Sequence, residues 1–231
     1  SLNNGDNQTL PGCANTTIGA TEGANVLIIY ANDTKGNINN LSVYFTKLNT
    51  TALGKCAVLI MGNSVYSLGN SISTTSSTCF NITAQNVTLD CAGFNITGNN
   101  SANSSGIYSN IFNTTVKNCN ITNFTYGVYF NGSRNGTIQN VIANGSTGGI
   151  FFDSNSSYNT IINSKGTSTS GQGIFLTRNS SYNTIINSTG ISTSGYGIYL
   201  EASSNNNSII NSTGTSTNIF GIYLNSNSSY N

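Results

Sequence analysis

Two short phrases that return about every 24 residues, a near absence of charge, and many β-branched and aromatic residues predict an all-β chain wound as a parallel β-helix. The chain has 231 residues, of which only 7 are Lys or Arg and 6 are Asp or Glu. It contains 41 Asn, 33 Ser and 30 Thr, with no His and no Trp. Neutral polar composition by itself would suit a disordered tract, but disorder goes with few aromatics. Aromatics are 10% here, and Ile, Val and Thr are abundant, which favours strands.

The repeat supplies the architecture. The tripeptides Gly106-Ile107-Tyr108, Gly127-Val128-Tyr129, Gly149-Ile150-Phe151, Gly173-Ile174-Phe175, Gly197-Ile198-Tyr199 and Gly221-Ile222-Tyr223 follow at steps of 21, 22, 24, 24 and 24. Thr160-Ile161-Ile162-Asn163-Ser164 returns as Thr184 to Ser188 and as Ser208 to Ser212, with looser versions at Thr115 and Thr137. Such a period, with two or three short β segments, is one coil of a β-helix. From about Ala57 to Asn231 it yields about seven coils, stacked about 4.8 Å apart.

Strand alternation assigns directions to the columns. Leu89, Val116, Ile138, Ile161, Ile185 and Ile209 are always aliphatic and are placed inside. Two residues on, Cys91, Asn118, Asn140, Asn163, Asn187 and Asn211 are also expected inside, the Asn as a hydrogen-bonded ladder. Ile162, Ile186 and Ile210 then face out. In the tripeptide strand, Ile174 and Leu176 and their repeats point inward. Tyr108, Tyr129, Phe151, Phe175, Tyr199 and Tyr223 form an outward aromatic column.

These phrases, with Asn86-Val87-Thr88-Leu89-Asp90-Cys91-Ala92-Gly93-Phe94-Asn95-Ile96-Thr97-Gly98, resemble the right-handed parallel β-helix repeat family. More narrowly, the chain looks like the NosD-type or pectate-lyase-like repeats of prokaryotic, archaeal-like surface proteins. The resemblance covers about three quarters of the chain. It implies the fold and leaves activity open, because the family hosts lyases, hydrolases, binding modules and inert stalks.

Residues 1–55 do not repeat and are set apart from the β-helix of residues 56–231. Asn25 to Tyr30 and Leu41 to Thr46 flank a turn at residues 31–37 and are read as a hairpin. The hairpin resembles a remnant of an Ig-like domain; a cap or a donor strand are the other readings, since a full sandwich needs about 100 residues. At the carboxyl end the β-helix is expected to continue or to be covered by another subunit.

Cys13, Cys56, Cys79, Cys91 and Cys119 show no zinc spacing, so disulfides are expected. The pairing read from position is Cys13 with Cys56 and Cys79 with Cys91. Cys119 is then left over, buried or pairing with Cys91 instead.

Asn-x-Ser/Thr sequons number 22, about twice the chance expectation for this composition. Turn chemistry accounts for some of the Asn. N-glycosylation is expected at Asn7, Asn15, Asn32, Asn40, Asn49, Asn81, Asn86, Asn95, Asn99, Asn103, Asn113, Asn120, Asn123, Asn131, Asn135, Asn144, Asn155, Asn179, Asn206 and Asn227. Asn131, Asn155, Asn179 and Asn227 are expected to share one exposed turn phase. Asn187 and Asn211 are sequons too, but the inner-ladder assignment leaves them bare.

Catalytic and partner classes narrow in the same way. Without His there is no Ser-His-Asp triad, and seven scattered cations make no phosphate track, so no nucleic-acid partner is expected. No apolar run approaches the ~20 residues of a membrane span. No cofactor or metal is expected. The acids of the repeat region are Asp90, Asp153 and Glu201. Asp153 and Glu201 fall two coils apart in one column, about 10 Å by coil stacking, beyond the range of an inverting carboxylate pair. They are read as isolated charges and the chain as non-enzymatic.

Tyr129, Phe151, Phe175, Tyr199 and Tyr223, with Ile162, Ile186 and Ile210, are the interface or binding candidates. The expected role is a secreted, heavily N-glycosylated structural protein of the cell surface, a sheath or a filament. Its expected partners are covalent N-glycans and further copies of itself, end to end or side by side. A carbohydrate-binding or adhesive module using the aromatic column is the alternative, and a polysaccharide lyase or hydrolase comes third.

Overall fold

The computed structural model describes residues 1–10, 17–225 and 228–231, with the backbone alone at Asn49. Cys13, Asn15 and Asn227 lie outside the described residues. Two compact units separate at Asn49/Thr50.

The first unit is built on an antiparallel hairpin, Gly23–Asn32 paired with Ile38–Lys47. Its turn is closed by Asp33, whose carboxylate accepts from the backbone N–H groups of Lys35 and Asn37 and from the Asn37 side chain at 2.7–2.9 Å. These bonds, the Asn37 side chain first, hold the Asp33 carboxyl below its ordinary range. A two-stranded sheet has no layer of its own to pack against. Ile38, Leu41 and Tyr44 accordingly stay exposed.

The second unit is a parallel β-helix of about seven coils with three faces. Face one stacks Ser64–Leu68, Val87–Asp90, Thr114–Lys117, Thr137–Gln139, Thr160–Ile162, Thr184–Ile186 and Ser208–Ile210, every neighbour parallel. Face two includes Asn95–Thr97, Lys165–Ser168, Thr189–Ser192 and Thr213–Ser216. Face three carries the tripeptides: Thr78–Ile82, Ser105–Ser109, Gln172–Leu176, Ile198–Leu200 and Ile222–Leu224. Asn120–Asn131 and Ile142–Asp153 run through faces two and three as single bent strands, with register shifts at Phe124.

The aliphatic column is inside as expected. Leu89, Val116, Ile138, Ile161 and Ile185 are fully buried, and Ile209 is partly so. Ile174, Leu176, Ile198 and Leu200 oppose them from face three. Faces two and three meet at glycines. A Cβ on Gly197 would come within 2.6 Å of both the Gly190 and the Gly221 carbonyl oxygens, so this corner admits no side chain.

The expected inner Asn ladder is corrected. Asn140, Asn163, Asn187 and Asn211 are exposed and Asn118 is half-buried. All five have positive φ, between 47° and 56°. A left-handed residue rotates the chain out of strand alternation, so each Asn turns outward at the corner after face one. The next residue takes the inner place. Asn tolerates this conformation better than most residues.

Val141, Ser164 and Ser188 are buried there, and Ser188 Oγ accepts from the Ser164 backbone N–H at 3.1 Å. The buried Asn ladder lies two residues upstream of the aliphatic column instead. Asn159, Asn183 and Asn207 are each at most 2% exposed. Asn183 Oδ1 accepts from the Asn159 backbone N–H (2.8 Å) and from its Nδ2 (3.1 Å), and Asn207 Oδ1 does the same for Asn183.

The disulfide pairing is corrected as well. Cys56 bonds Cys79 and Cys91 bonds Cys119, with Cα separations of 4.5 and 4.8 Å. Both bridges join neighbouring coils: Cys56 and Cys79 are at the same phase, and Cys119 lies one residue past the position in register with Cys91. Cys79 and Cys91 are half a coil apart, on different faces, which rules out that bridge within the coil. For Cys119, the pairing with Cys91 is the alternative that holds.

Candidate functional site

Two surface features collect the sequence-predicted site residues: the sequon asparagines at the corners and the outer side of face three.

Of the expected sequon asparagines whose side chains are described, none is buried. Asn81, Asn120 and Asn131 are half-buried. The rest, including Asn7, Asn32, Asn40, Asn95, Asn99 and Asn144, are exposed. Asn86, Asn103, Asn113, Asn135, Asn155, Asn179 and Asn206 have positive φ and stand at turns, and Asn123 has positive φ at the irregularity within the strand Asn120–Asn131. Asn187 and Asn211, expected bare, are exposed beside them. Asn131 leaves the turn phase assigned to it: it is the register partner of Asp153, not of Asn155. The shorter step between those coils, 22 residues, displaces it.

Outside the core on face three, the six aromatic residues form one column. Tyr129, Phe151, Phe175 and Tyr199 stack with ring centroids 5.0–5.1 Å apart and interplanar angles of 20° or less. Tyr223 continues the stack at 5.5 Å. A second outer column runs beside it, which the repeat of tripeptides did not reveal. Tyr126 sits over Gly148 and stacks on Phe151 at 5.0 Å, and Tyr196 stacks on Tyr223 at 4.7 Å. The rings therefore cover one another. Phe151 and Tyr199 are each only 8% exposed, although both lie outside the main interior cluster. Tyr108 ends the column differently, meeting Tyr129 edge-on at 79°. Ile162, Ile186 and Ile210 are in register on the outside of face one.

The carboxylates lie at the edge of this aromatic surface. Asn131, Asp153, Thr177, Glu201 and Asn225 occupy one phase. Asp153 is buried; its Oδ2 accepts from Tyr129 Oη at 3.1 Å and from Arg178 Nη1 at 2.9 Å. Glu201 accepts from Tyr199 Oη and, at 3.2 Å, from Thr177 Oγ1. Burial, and then the nearby Asp153 carboxylate, push the Tyr129 phenol far above its ordinary range. Burial and the bond to Glu201 push Tyr199 up to about 12. Both phenols therefore remain donors at neutral pH.

Asp90 sits apart on the outside of face one. It is bonded by Lys117 at 3.1 Å, by Asn118 and by the Ala92 backbone. Burial raises its pKa, but these donors outweigh it and hold the carboxyl below its ordinary value. Among the described residues no group of three or more His, Cys, Asp or Glu is placed to hold a metal ion. No helix there is long and apolar enough to cross a membrane.

Comparison with known proteins bears on the repeat region. No curated protein and no solved structure matches the chain. The family model described as a right-handed beta helix region matches residues 89–231. That match spans more than half the chain and coincides with the stacked coils: the protein belongs to the right-handed β-helix family.

Proposed function

We propose that this protein is a non-catalytic, N-glycosylated structural rod that works outside the cell, at a surface or in a sheath or filament. The observation that carries this reading is the placement of the sequons: no described sequon side chain is buried, and about half stand at exposed left-handed turns. With 13 charged residues on the whole chain, solubility has to come from elsewhere, and surface glycans supply it. Two disulfides between coils suit an oxidising compartment. Ile162, Ile186 and Ile210 offer an apolar strip for lateral contact between copies. Use of the aromatic column as a polysaccharide platform is less favoured, because the ring faces are spent on one another at about 5 Å.

The test is to secrete the chain from an N-glycosylating host, remove the glycans enzymatically, and follow light scattering. Aggregation of the stripped rod is expected. A stripped chain that stays monodisperse contradicts the solubilising role of the sugars.

A further inference from the structure

The outer aromatic surface of face three has a cleft at its amino-terminal end. Its volume is about 440 Å³, and Asn81, Asn103, Tyr108, Tyr126 and Tyr129 line it. The sequence creates it in two ways. The column that holds Tyr126 continues into the preceding coils as the small residues Ser105 and Thr78, so nothing fills the space below the Tyr126 ring. In the neighbouring column, Tyr108 turns edge-on to Tyr129 and Asn81 takes the next place, where the stack stops.

Aromatic walls with polar Asn side chains beside them suit a ligand that has both an apolar face and hydroxyl groups. A pyranose ring is such a ligand. One is available on the chain itself: Asn103, exposed and left-handed with φ 55°, lines the cleft and heads the sequon Asn103-Ser104-Ser105.

We infer that the glycan on Asn103 folds back, so that its first sugars seat in this cleft against Tyr108 and Tyr126. This rests on the reading that the sequons are glycosylated. Attachment joins the anomeric carbon to Asn103 Nδ2 as its bond to the phosphate of an activated glycosyl-phosphate donor breaks. Nδ2 loses one proton and the phosphate leaves with the bonding pair. The seated sugar takes the place that the next aromatic ring would fill in the column.

The experiment is hydroxyl-radical footprinting of the secreted glycoprotein and of Asn103→Gly, with occupancy at every sequon read by glycopeptide mass mapping. Gly removes the sequon and accepts the positive φ without strain. The expected result is a glycan on Asn103, together with severalfold faster oxidation of Tyr108 and Tyr126 in the variant. Tyr199, far along the column, should keep its rate and so report an intact rod. Equal rates at Tyr108 and Tyr126 despite a glycan on Asn103 overturn the docking. A bare Asn103 beside occupied sequons overturns it while leaving the glycoprotein reading in place; a chain bare at every sequon overturns both.

Discussion

Asn183 Oδ1 accepts two hydrogen bonds from Asn159 one coil away, from its backbone N–H at 2.8 Å and from its Nδ2 at 3.1 Å. Asn183 Nδ2 in turn donates to the Ser156 carbonyl and to Asn207 Oδ1. One buried side chain thus links its own coil to both neighbouring coils. Asn183→Leu leaves those groups unpaired and should cost about 2–5 kcal/mol, since each buried polar group left without a partner costs about 1–3 kcal/mol. Asn187→Gly, four residues away at an exposed left-handed turn, should change stability by less than about 0.5 kcal/mol. Urea unfolding of both variants checks the pair, and the reverse ranking would restore the ladder to Asn187.

The glycine corner makes a steric prediction. A methyl group on Gly197 meets two backbone carbonyl oxygens at 2.6 Å, and backbone cannot swing aside. Gly197→Ala should lose about 1–3 kcal/mol or more by overpacking. Gly19→Ala, with nothing near the added methyl, should be close to neutral. Thermal midpoints of the two variants decide it.

The bridges Cys56–Cys79 and Cys91–Cys119 each span about one coil, 23 and 28 residues. Peptide mapping without reduction should recover these two links and no Cys79–Cys91 link. Reduction should cost about 3 kcal/mol per bridge from restored freedom of the unfolded chain.

Alkaline pH should weaken the rod through its outer phenols. Tyr199 titrates near 12 in the folded chain and near 10 when unfolded. The raised value means that its contribution is complete below about pH 10 and is lost as the pH rises through about 12. Tyr129 shifts in the same direction. Urea midpoints should fall across that window, and Tyr199→Phe should flatten part of the fall. A midpoint that holds steady up to about pH 12 contradicts the bonding assigned to Tyr199 and Glu201.

Much of the fold was legible because repetition repeats the physics. Ile161, Ile185 and Ile209 recur at one phase, and so they stack. Alternation also places Asn159 and Asn183 inside, two residues upstream of Ile161 and Ile185. Counted downstream, it fails, because Asn163 and Asn187 adopt a left-handed backbone that no alternation rule contains.

Contacts between coils were harder to read. The Cys91–Cys119 bridge joins a coil whose inner residue precedes the corner to one whose inner residue follows it. The Asn103 cleft depends on small residues at Thr78 and Ser105 lying beneath a ring from a later coil. Neither relation is visible until the register is fixed.

The proposed function rests on sugars carried by the exposed asparagines, and site-by-site glycopeptide mass mapping of the secreted protein tests it. Modification is expected at the exposed left-handed sequons, with Asn155, Asn179 and Asn187 among them. Unmodified asparagine at all three, in a host that glycosylates other secreted proteins, would contradict it.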